Sequence, residues 1–385
     1  MIWPQHEEDE IAAVVEVMRA GRVNYWTGRH GREFEKEFAS YCGARHAVAL
    51  ANGTVALELT LRALEIGPGD DVVVTARSFF ASASCIVACG ARPVFADVDA
   101  DSQNVTAETI EAALTARTKA VIVVHLAGWP ADMPSILALC GPRGVRVVED
   151  CAQAHGAAVS GKGVGSFGDA AAFSFCTDKI MTTGGEGGML LTNDEAVYRR
   201  AWSYKDHGKG FSSAHRTDHA LGFRWLHESF GTNWRMTELQ AAIGRAQLKK
   251  LDRWLEIRQR NAERLARLLR SDPALRVPVP RAEYRHAWYK FYCFVRPEAL
   301  KEGWDRDRVL RELSERGIAA LSGACPEIYL ERAFDGSDSR PLQRFDVARR
   351  LGETSLVLLV DPCQTPESLD AAATGLRDVL KRAAR

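Results

Sequence analysis

The sequence has no long apolar segment and no concentration of charge of one sign. None of its apolar runs approaches the roughly 20 residues that a membrane-spanning helix needs, and Lys plus Arg equals Asp plus Glu, at 50 each among 385 residues. No polybasic or polyacidic run stands out, so neither a membrane nor a nucleic-acid partner is expected. The N-terminus, MIWPQHEEDE, is acidic and lacks the apolar segment of a secretory signal. We therefore expect a cytoplasmic protein.

The nine cysteines do not form a paired framework. Cys85 and Cys89, in CIVAC, are the one close pair, and they lie on an apolar helical run without a histidine or second pair at zinc-ligand spacing. Free, buried thiols in a reducing compartment are therefore the expected state. No metal site is predicted.

Short apolar runs alternate with helical patterns from about residue 52 onwards. This alternation predicts an α/β fold with a mostly parallel central sheet whose two faces are covered by helices. In such sheets ligands bind at the carboxyl ends of the strands. The predicted strands are 72–75, 93–97, 120–126, 145–150, 171–175 and 188–192, and the predicted helices are 54–64, 80–90, 106–115 and 134–140.

The C-terminal third has a different pattern. An amphipathic run from Thr237 to Leu269 predicts one long helix that connects two domains. We expect a large α/β domain with an N-terminal arm over residues 1–245 and a small C-terminal α+β domain over 246–385. A strand at 286–295 and helices at 307–317 and 368–380 are predicted in the small domain, and a long, functional loop is predicted at 206–229.

One lysine, Lys179, stands between an apolar strand and a glycine-rich turn in SFCTDKIMTTGGEGG. A solvated loop lysine and a desolvated amine with covalent chemistry are both compatible with that position. Asp150 follows another apolar strand in VVEDCAQAHGA, with Gln153 three residues later. A carboxylate at a buried strand end needs a partner, so Asp150 is either a helix N-cap or the partner of a cation such as a protonated ring nitrogen.

Four further features are weak signals of a binding site when each is taken alone, and they indicate a ligand only when they are taken together. Gly53 and Thr54 begin a helix, where backbone N–H groups favour a phosphate, although an ordinary N-cap is an alternative. Phe79 follows a strand and could stack on a flat ring or join the core. Ser174 could donate to a phosphate, and Asn233 is not explained by capping. Together with Lys179 and Asp150, these residues supply what pyridoxal 5′-phosphate (PLP) requires.

Six segments, in order and at their spacing, carry a family resemblance. The sequence resembles the DegT/StrS sugar aminotransferases, within PLP-dependent transferase fold type I, over nearly the whole chain from Ile11 to the C-terminus. The segments are NGTVAL, RSFFASASCIVACGARPVFADVD, VHLAGWPADM, VEDCAQAHGA, GSFGDAAAFSFCTDKIMTTGGEGGML and GTNWRMTELQAAIG.

The resemblance implies a role for each matched residue. It implies that Lys179 forms the covalent Schiff base with PLP, that Asp150 faces the pyridine nitrogen and that Gln153 hydrogen-bonds the phenolic oxygen. Phe79 falls at the stacking aromatic.

The resemblance also implies how the cofactor phosphate is held. Thr54, the Val55 amide and Ser174 fall at the phosphate, and Asn233 matches an asparagine that reaches it from the neighbouring subunit. The protein would then be a homodimer with two shared active sites.

By the same resemblance, the reaction moves an amino group from an amino acid, L-glutamate, to a nucleotide-linked keto-deoxysugar, with pyridoxamine phosphate (PMP) as intermediate. The alternatives are an aminotransferase of a cyclitol ketone and a sugar dehydratase. Related dehydratases carry histidine where Lys179 stands, which argues against the second. Cys176 and Thr177 depart from a histidine-containing pattern near the lysine and leave the sugar open.

Basic residues should line the entrance for the diphosphate of such a substrate. The candidates are Lys205, His207, Lys209, Arg224 and Arg235, together with Trp129 after a strand. A PLP-fold transcription sensor is disfavoured because no basic DNA-binding module precedes the matched region. A nicotinamide-dependent enzyme is disfavoured because no G-x-G-x-x-G follows the first strand.

Overall fold

A computed structural model describes residues 3–218 and 222–385, in which the chain forms thirteen α-helices and thirteen β-strands. The strands are β1 His46–Leu50, β2 Asp71–Thr75, β3 Arg92–Ala96, β4 Thr118–Val124, β5 Arg146–Asp150, β6 Ala158–Val159, β7 Lys162–Gly163, β8 Ala170–Ser174, β9 Gly188–Thr192, β10 Leu275–Arg276, β11 Tyr284–Arg285, β12 Phe291–Val295 and β13 Ser355–Leu358. The helices are α1 Glu8–Ala20, α2 His30–Cys42, α3 Gly53–Ala63, α4 Ala81–Ala88, α5 Ala107–Ala113, α6 Met133–Cys140, α7 Glu195–Lys205, α8 Phe211–His215, α9 Glu238–Leu248, α10 Leu251–Leu269, α11 Arg306–Glu315, α12 Asp346–Thr354 and α13 Pro366–Ala383. None of these helices is both long enough and apolar enough to cross a bilayer.

A seven-stranded sheet forms the centre of the fold, with the order β1-β9-β8-β5-β4-β2-β3. The pairs β2–β3, β2–β4, β4–β5 and β5–β8 are parallel, whereas β9 is antiparallel to both β8 and β1. All five residues of β2, β8 and β9 are buried, as in a sheet covered on both faces. The predicted α/β class and mostly parallel sheet are confirmed.

Three apolar clusters make up the core. The first joins the central strands to α3 and α4, and the second packs Phe34 and Phe38 of α2 against Phe173 at the end of β8. The third lies within residues 262–383, around the sheet β10-β12-β13 and α13. Residues beyond 246 also join the first two clusters, and the predicted domain boundary between 245 and 246 stays a prediction.

The predicted single helix from Thr237 to Leu269 is wrong. The chain forms α9 and α10 with a break at Lys249 and Lys250. The Lys250 N–H bonds the Gln247 carbonyl three residues back, which replaces the four-residue step of an α-helix. The Lys250 ammonium binds three carboxylates of the α1 N-terminus, at 2.5 to 3.0 Å. The apolar pattern of the sequence continues through the break, so the break could not be predicted from that pattern.

The predicted strand at 286–295 is also too long. Residues Phe291–Val295 form β12, but Trp288 has a φ of 48°, a left-handed conformation that ends a strand. The N–H groups of Ala287 and Tyr289 bond the carbonyls of Gly128 and Ala127, each at 2.9 Å. Residues 286–290 are therefore fixed against the loop that follows β4.

The predicted loop at 206–229 contains the short helix α8, and its residues 219–221 lie outside the described residues. Its described part begins with a buried aspartate, Asp206, whose backbone pairs with that of Asn233. The Asp206 carboxylate binds Arg235 at 2.6 Å and Lys209 at 3.0 Å. These contacts tie both ends of the loop together.

Candidate active site

A cavity of about 590 Å³ opens at the carboxyl ends of the central strands. Strands β4, β5 and β8 end there at Val124, Asp150 and Ser174. This is the edge at which parallel sheets bind ligands. Seven of the eight residues predicted from the sequence line this one cavity: Thr54, Val55, Phe79, Asp150, Gln153, Ser174 and Lys179.

Asp150 is buried at the floor of the cavity. Its Oδ2 accepts a 2.8 Å hydrogen bond from the Ser82 hydroxyl, and its Oδ1 accepts a 3.2 Å bond from the Ala152 N–H. Burial raises the pKa of Asp150, against these hydrogen bonds and the charges of His125 and Lys179, which lower it. Because a buried carboxylate is stabilised by a cation, the site fits a protonated ring nitrogen.

Lys179 lies in the loop between β8 and β9, on the wall of the same cavity. Its side chain is 17% exposed, and its Nζ lies 3.3 Å from Oδ1 of Asp178. The second oxygen of Asp178 accepts a hydrogen bond from the Tyr289 hydroxyl. The charge of Lys179 holds the pKa of Asp178 below its ordinary value, although burial acts in the opposite direction.

The N-terminus of α3 forms another wall. Asn52 caps this helix, since its side chain accepts a 3.0 Å hydrogen bond from the Val55 N–H. The predicted phosphate donor at Val55 is therefore already engaged. The N–H groups of Gly53 and Thr54 find no acceptor within residues 3–218 and 222–385, and they point to a helix-terminal anion site.

Glycine at position 53 brings α3 close to the end of β8. A Cβ on Gly53 would lie 2.5 Å from the Cβ of Ser174, so a larger residue would push the two elements apart. Ser174 Oγ accepts a long, 3.4 Å hydrogen bond from the Cys176 N–H. Its own hydroxyl proton has no acceptor among the described residues, and it can donate to an anion at the α3 N-terminus.

Gln153 and Phe79 lie on two further walls. Gln153 Oε1 accepts a 2.8 Å hydrogen bond from the Ala127 N–H, which leaves the amide NH₂ to donate to a ligand oxygen. Phe79 is 69% exposed in the single chain. An apolar ring so exposed at a cavity is suited to cover a flat ligand.

Asn233, the eighth predicted residue, does not line the cavity of its own chain. It is exposed, and its backbone pairs with Asp206. The sequence resemblance places it in the site of a neighbouring subunit.

The basic residues predicted for the entrance are mostly engaged elsewhere. Lys205 is wholly buried and pairs with Glu35 at 3.4 Å, so its prediction as an entrance residue is wrong. Lys209 and Arg235 bind Asp206. His207 is exposed, Arg224 donates to the Ser213 carbonyl, and Trp129 packs against His286 with ring centroids 5.5 Å apart.

The sequence reasoning missed several residues of the site: Asn52, Ser78, Ser82, Asp178 and Glu186 all line the cavity. Ser78 and Ser82 are one helical turn apart in RSFFAS, a spacing that could have shown that they meet. No nearby residue pattern predicts that Asp178 belongs to the site, because its partner Tyr289 comes from 111 residues further along the chain.

Two buried histidines lie behind the cavity. His125 Nδ1 accepts a bond from the Ala131 N–H, so its Nε2–H donates to Glu149 at 3.1 Å. His155 packs among phenylalanines, and neither ring nitrogen bonds a described residue. Burial, aided by the charge of Lys179, lowers the pKa of His155 to about 3, so its ring is neutral.

His125, Glu149 and Cys151 place ligand-type atoms within 4.8 Å of one another. The Glu149 oxygens, however, already accept the N–H groups of Gly165, Phe167 and Gly168 as well as the His125 bond. Burial would raise the pKa of Glu149, but these hydrogen bonds hold it below its ordinary value. The cluster is a hydrogen-bonded support for β5.

The model of the DegT/DnrJ/EryC1/StrS aminotransferase family matches residues 4–377 of the chain. The chain belongs to this family. The DegT/StrS member is thus an aminotransferase, and its fold is that of PLP-dependent aminotransferases. The resemblance and the fold type predicted from the sequence are confirmed, and PLP dependence follows from the family.

Two curated relatives and one solved structure show how close the likeness is. The UDP-N-acetyl-3-dehydro-α-D-glucosamine 3-aminotransferase of Acidithiobacillus ferrooxidans is 39% identical over 364 residues, covering 93% of this chain and 90% of that protein. The GDP-perosamine synthase of Caulobacter vibrioides is 40% identical over 323 residues, covering 82% and 81%. An aminotransferase from Psychrobacter cryohalolentis has 48% identity and a TM-score of 0.97, covering 100% of this chain and 99% of that one.

Proposed function

We propose that this aminotransferase moves an amino group from L-glutamate to a nucleotide-linked keto-deoxysugar. The product would be an amino sugar, aminated at C3 or C4, for a surface polysaccharide or a glycosylated metabolite. The names of the relatives from A. ferrooxidans and C. vibrioides, a UDP-sugar aminotransferase and a GDP-perosamine synthase, support this substrate class. We place the protein in the cytoplasm, as its sequence predicts.

One observation carries the cofactor assignment. The buried Asp150 carboxylate and the Lys179 amine line the same cavity, which also receives the N-terminus of α3. These groups fit the three ends of PLP: an acid for the ring nitrogen, an amine for the aldehyde and N–H donors for the phosphate. When bound, PLP supplies a carbonyl that condenses with amines and a ring that accepts electrons.

Asp150 would hold the proton on the ring nitrogen. Its carboxylate is fixed by Ser82 and Ala152, at 2.8 and 3.2 Å, so it does not need to reorganise when charge develops. Gln153 is held through its oxygen by Ala127 and presents its NH₂ to the ring oxygen. Thr54, the Ser174 hydroxyl and the N–H groups of Gly53 and Thr54 would hold the phosphate, and Phe79 would cover the ring. The Val55 N–H could join them only by leaving Asn52.

Lys179 has two tasks. Its Nζ would hold PLP covalently, and its amine, when free, would accept the proton from the substrate carbon that bears the nitrogen and carry it to the cofactor. A general base must lie within hydrogen-bond reach of that carbon's proton, and the place of Lys179 on the cavity wall, with a side chain 17% exposed, supports this role.

The described residues that line the cavity offer little positive charge for a nucleotide diphosphate. Among the described lining residues, Asp150, Asp178 and Glu186 are acidic and Lys179 is basic. The positive groups must therefore come from outside this lining, which supports a homodimer with shared sites and Asn233 acting on the neighbouring site. Exposed aromatics in the 222–230 segment, with Phe230 97% exposed, support burial there by a second chain.

The deciding experiment is a substrate panel. Purified protein with PLP and L-glutamate is incubated with UDP-, GDP- and dTDP-linked keto-deoxysugars, and products are identified by mass. We expect one nucleotide sugar to exchange its carbonyl oxygen for an amino group while 2-oxoglutarate forms in equal amount. Conversion of a free cyclitol ketone, with no turnover of any nucleotide sugar, would contradict the substrate class and leave the aminotransferase assignment intact.

A further inference from the structure

The N-terminal arm reaches the loop that carries Lys179. The indole N–H of Trp3 donates a 2.8 Å hydrogen bond to the backbone carbonyl of Lys179, 176 residues away. The arm thus holds the main chain at the residue whose side chain lines the cavity.

Trp3 is itself held by α10. Its ring meets Trp254 edge-on with centroids 5.0 Å apart, and the guanidinium of Arg258 lies 5.1 Å from its ring centroid. Arg258 is buried, and its NH1 donates to the carbonyls of Trp288 and Tyr289 at 3.2 and 3.3 Å. Burial lowers the pKa of Arg258 to about 10, partly offset by the charge of Asp361.

The contacts then return to Lys179. The Tyr289 hydroxyl donates to one oxygen of Asp178, and the other oxygen lies 3.3 Å from the Lys179 Nζ. The ammonium also lies 5.3 Å from the Tyr289 ring centroid. Trp3, Arg258, Tyr289 and Asp178 thus form a closed circuit that touches both the backbone and the amine of Lys179.

We propose that this circuit is a positioning clamp for Lys179, with Trp3 fixing its backbone and Asp178 fixing its amine. The inference rests on the role of Lys179 proposed above. Asp178 and Tyr289 are positioning residues, because the effect assigned to them here is exerted on the lysine.

The clamp has a physical purpose. A lysine amine sits on a flexible four-carbon stem and loses much rotamer freedom when it is held. The Asp178 oxygen attracts the protonated nitrogen and keeps it at the cavity, and the Tyr289 bond fixes which oxygen faces it. The backbone bond from Trp3 stops the loop from moving away with the side chain.

The first test uses the visible absorbance of lysine-bound PLP, which changes when the linking nitrogen loses its proton. A nearby carboxylate favours the protonated form, so Asp178→Asn should move the midpoint of this change to lower pH by about one unit. Tyr289→Phe should move it in the same direction by less. Other titratable groups that act on the Lys179 charge are Asp150, His155, Cys176 and Lys290, and they are unchanged in these variants.

The matched control is Tyr284→Phe, since the Tyr284 hydroxyl has no hydrogen-bond partner among the described residues. Its midpoint should equal that of the unmodified protein. If the midpoint in Asp178→Asn equals that of the unmodified protein, the proposal that Asp178 fixes the Lys179 amine is overturned.

The second test needs no cofactor. In Trp3→Phe the ring still packs on Trp254 and Arg258, but the bond to the Lys179 carbonyl is lost. Amide hydrogen exchange across residues 176–187, which include the bond from the Lys179 N–H to the Cys176 carbonyl at 3.0 Å, should quicken about three- to tenfold. Trp304→Phe is the control, because the Trp304 indole N–H bonds no described residue.

If amide hydrogen exchange across residues 176–187 is unchanged in Trp3→Phe, the proposal that Trp3 fixes the Lys179 backbone is overturned. The clamp and the proposed role of Lys179 can be tested separately. A protein without the visible band in the presence of PLP would contradict the proposed role of Lys179, whereas the exchange measurement would still decide whether Trp3 restrains the loop.

Discussion

The hydroxyl of Ser82 donates a 2.8 Å hydrogen bond to the buried carboxylate of Asp150, and Ser78 Oγ lies 3.0 Å from Ser82 Oγ. Ser82 lies in the first turn of α4, and Asp150 ends β5. The bond therefore ties the direction of the carboxylate to a helix that packs in the main core.

Ser82→Ala should lower kcat about tenfold. A hydrogen bond to a charged group contributes about 1.5–3 kcal/mol, and its loss leaves Asp150 less well directed at the ring nitrogen. Steady-state kinetics against the preferred keto-sugar would measure the effect. Ser84→Ala is the control and should leave kcat unchanged, because Ser84 lies in the same helix but, among the described residues, makes no hydrogen bond to Asp150. Equal rates in all three proteins would contradict the role given to Ser82.

Asp150→Asn should have opposite effects on activity and on the stability of the cofactor-free chain. Without its charge the ring nitrogen is not kept protonated, and kcat should fall about 100-fold or more. Because burial raises the pKa of Asp150, the carboxyl contributes stability below about pH 4, its ordinary range, and this contribution is lost as pH rises through the folded-state pKa. Asparagine does not ionise, so the variant does not lose stability as the pH rises through this range.

Urea unfolding of the cofactor-free chain measures this difference. At pH 7 the free energy of unfolding of Asp150→Asn should exceed that of the unmodified protein, and this difference should narrow as the pH falls toward 4. A variant that is less stable than the unmodified protein at pH 7 would refute the argument from burial.

Lys179→Ala should abolish turnover and the visible band of lysine-bound PLP. No other lysine lines the cavity among the described residues, so no neighbouring amine can replace it. Absorbance spectra with added PLP and product mass measure the two effects. Lys36→Ala, which removes an exposed lysine from α2, should retain both. A Lys179→Ala protein that transaminates at a normal rate would end the proposal.

Mixing two inactive variants should restore activity if the sites are shared. Lys179→Ala and Asn233→Ala fail alone for different reasons, but a mixed dimer has one site with Lys179 from one chain and Asn233 from the other. After subunit exchange at equal amounts, about one quarter of the normal activity should return, because half of the dimers are mixed and each has one intact site. Persistent inactivity, with exchange verified by mass, would place Asn233 in its own chain's site.

The central sheet could be predicted because its strands are nearly continuous apolar runs separated by helical patterns. The strands predicted at 72–75 and 188–192 match β2 and β9 to within one residue at either end. The break at Lys250 could not be predicted, because it depends on carboxylates of α1 more than 200 residues away. The left-handed Trp288 is set by the loop after β4, and no local residue pattern reports that contact.

Part of the candidate site could likewise be predicted from the sequence, and part could not. Asp150 ends β5, and Gln153 and Lys179 lie in the segments after β5 and β8, so strand order brings the three residues together. Tyr289 and Trp3 reach Lys179 from distant parts of the chain, and only the tertiary structure brings them there. Lys205 was misjudged because a lysine is expected at the surface, whereas Glu35 compensates its burial.

Strands β8 and β9 are adjacent and antiparallel, with Ser174 opposite Gly188. The segment bearing the reactive amine is therefore a hairpin whose two ends are stitched to each other inside the sheet. Such a segment cannot swing aside like a lid hinged at one end. Entry of a bulky substrate would therefore leave both ends of this wall of the cavity in place.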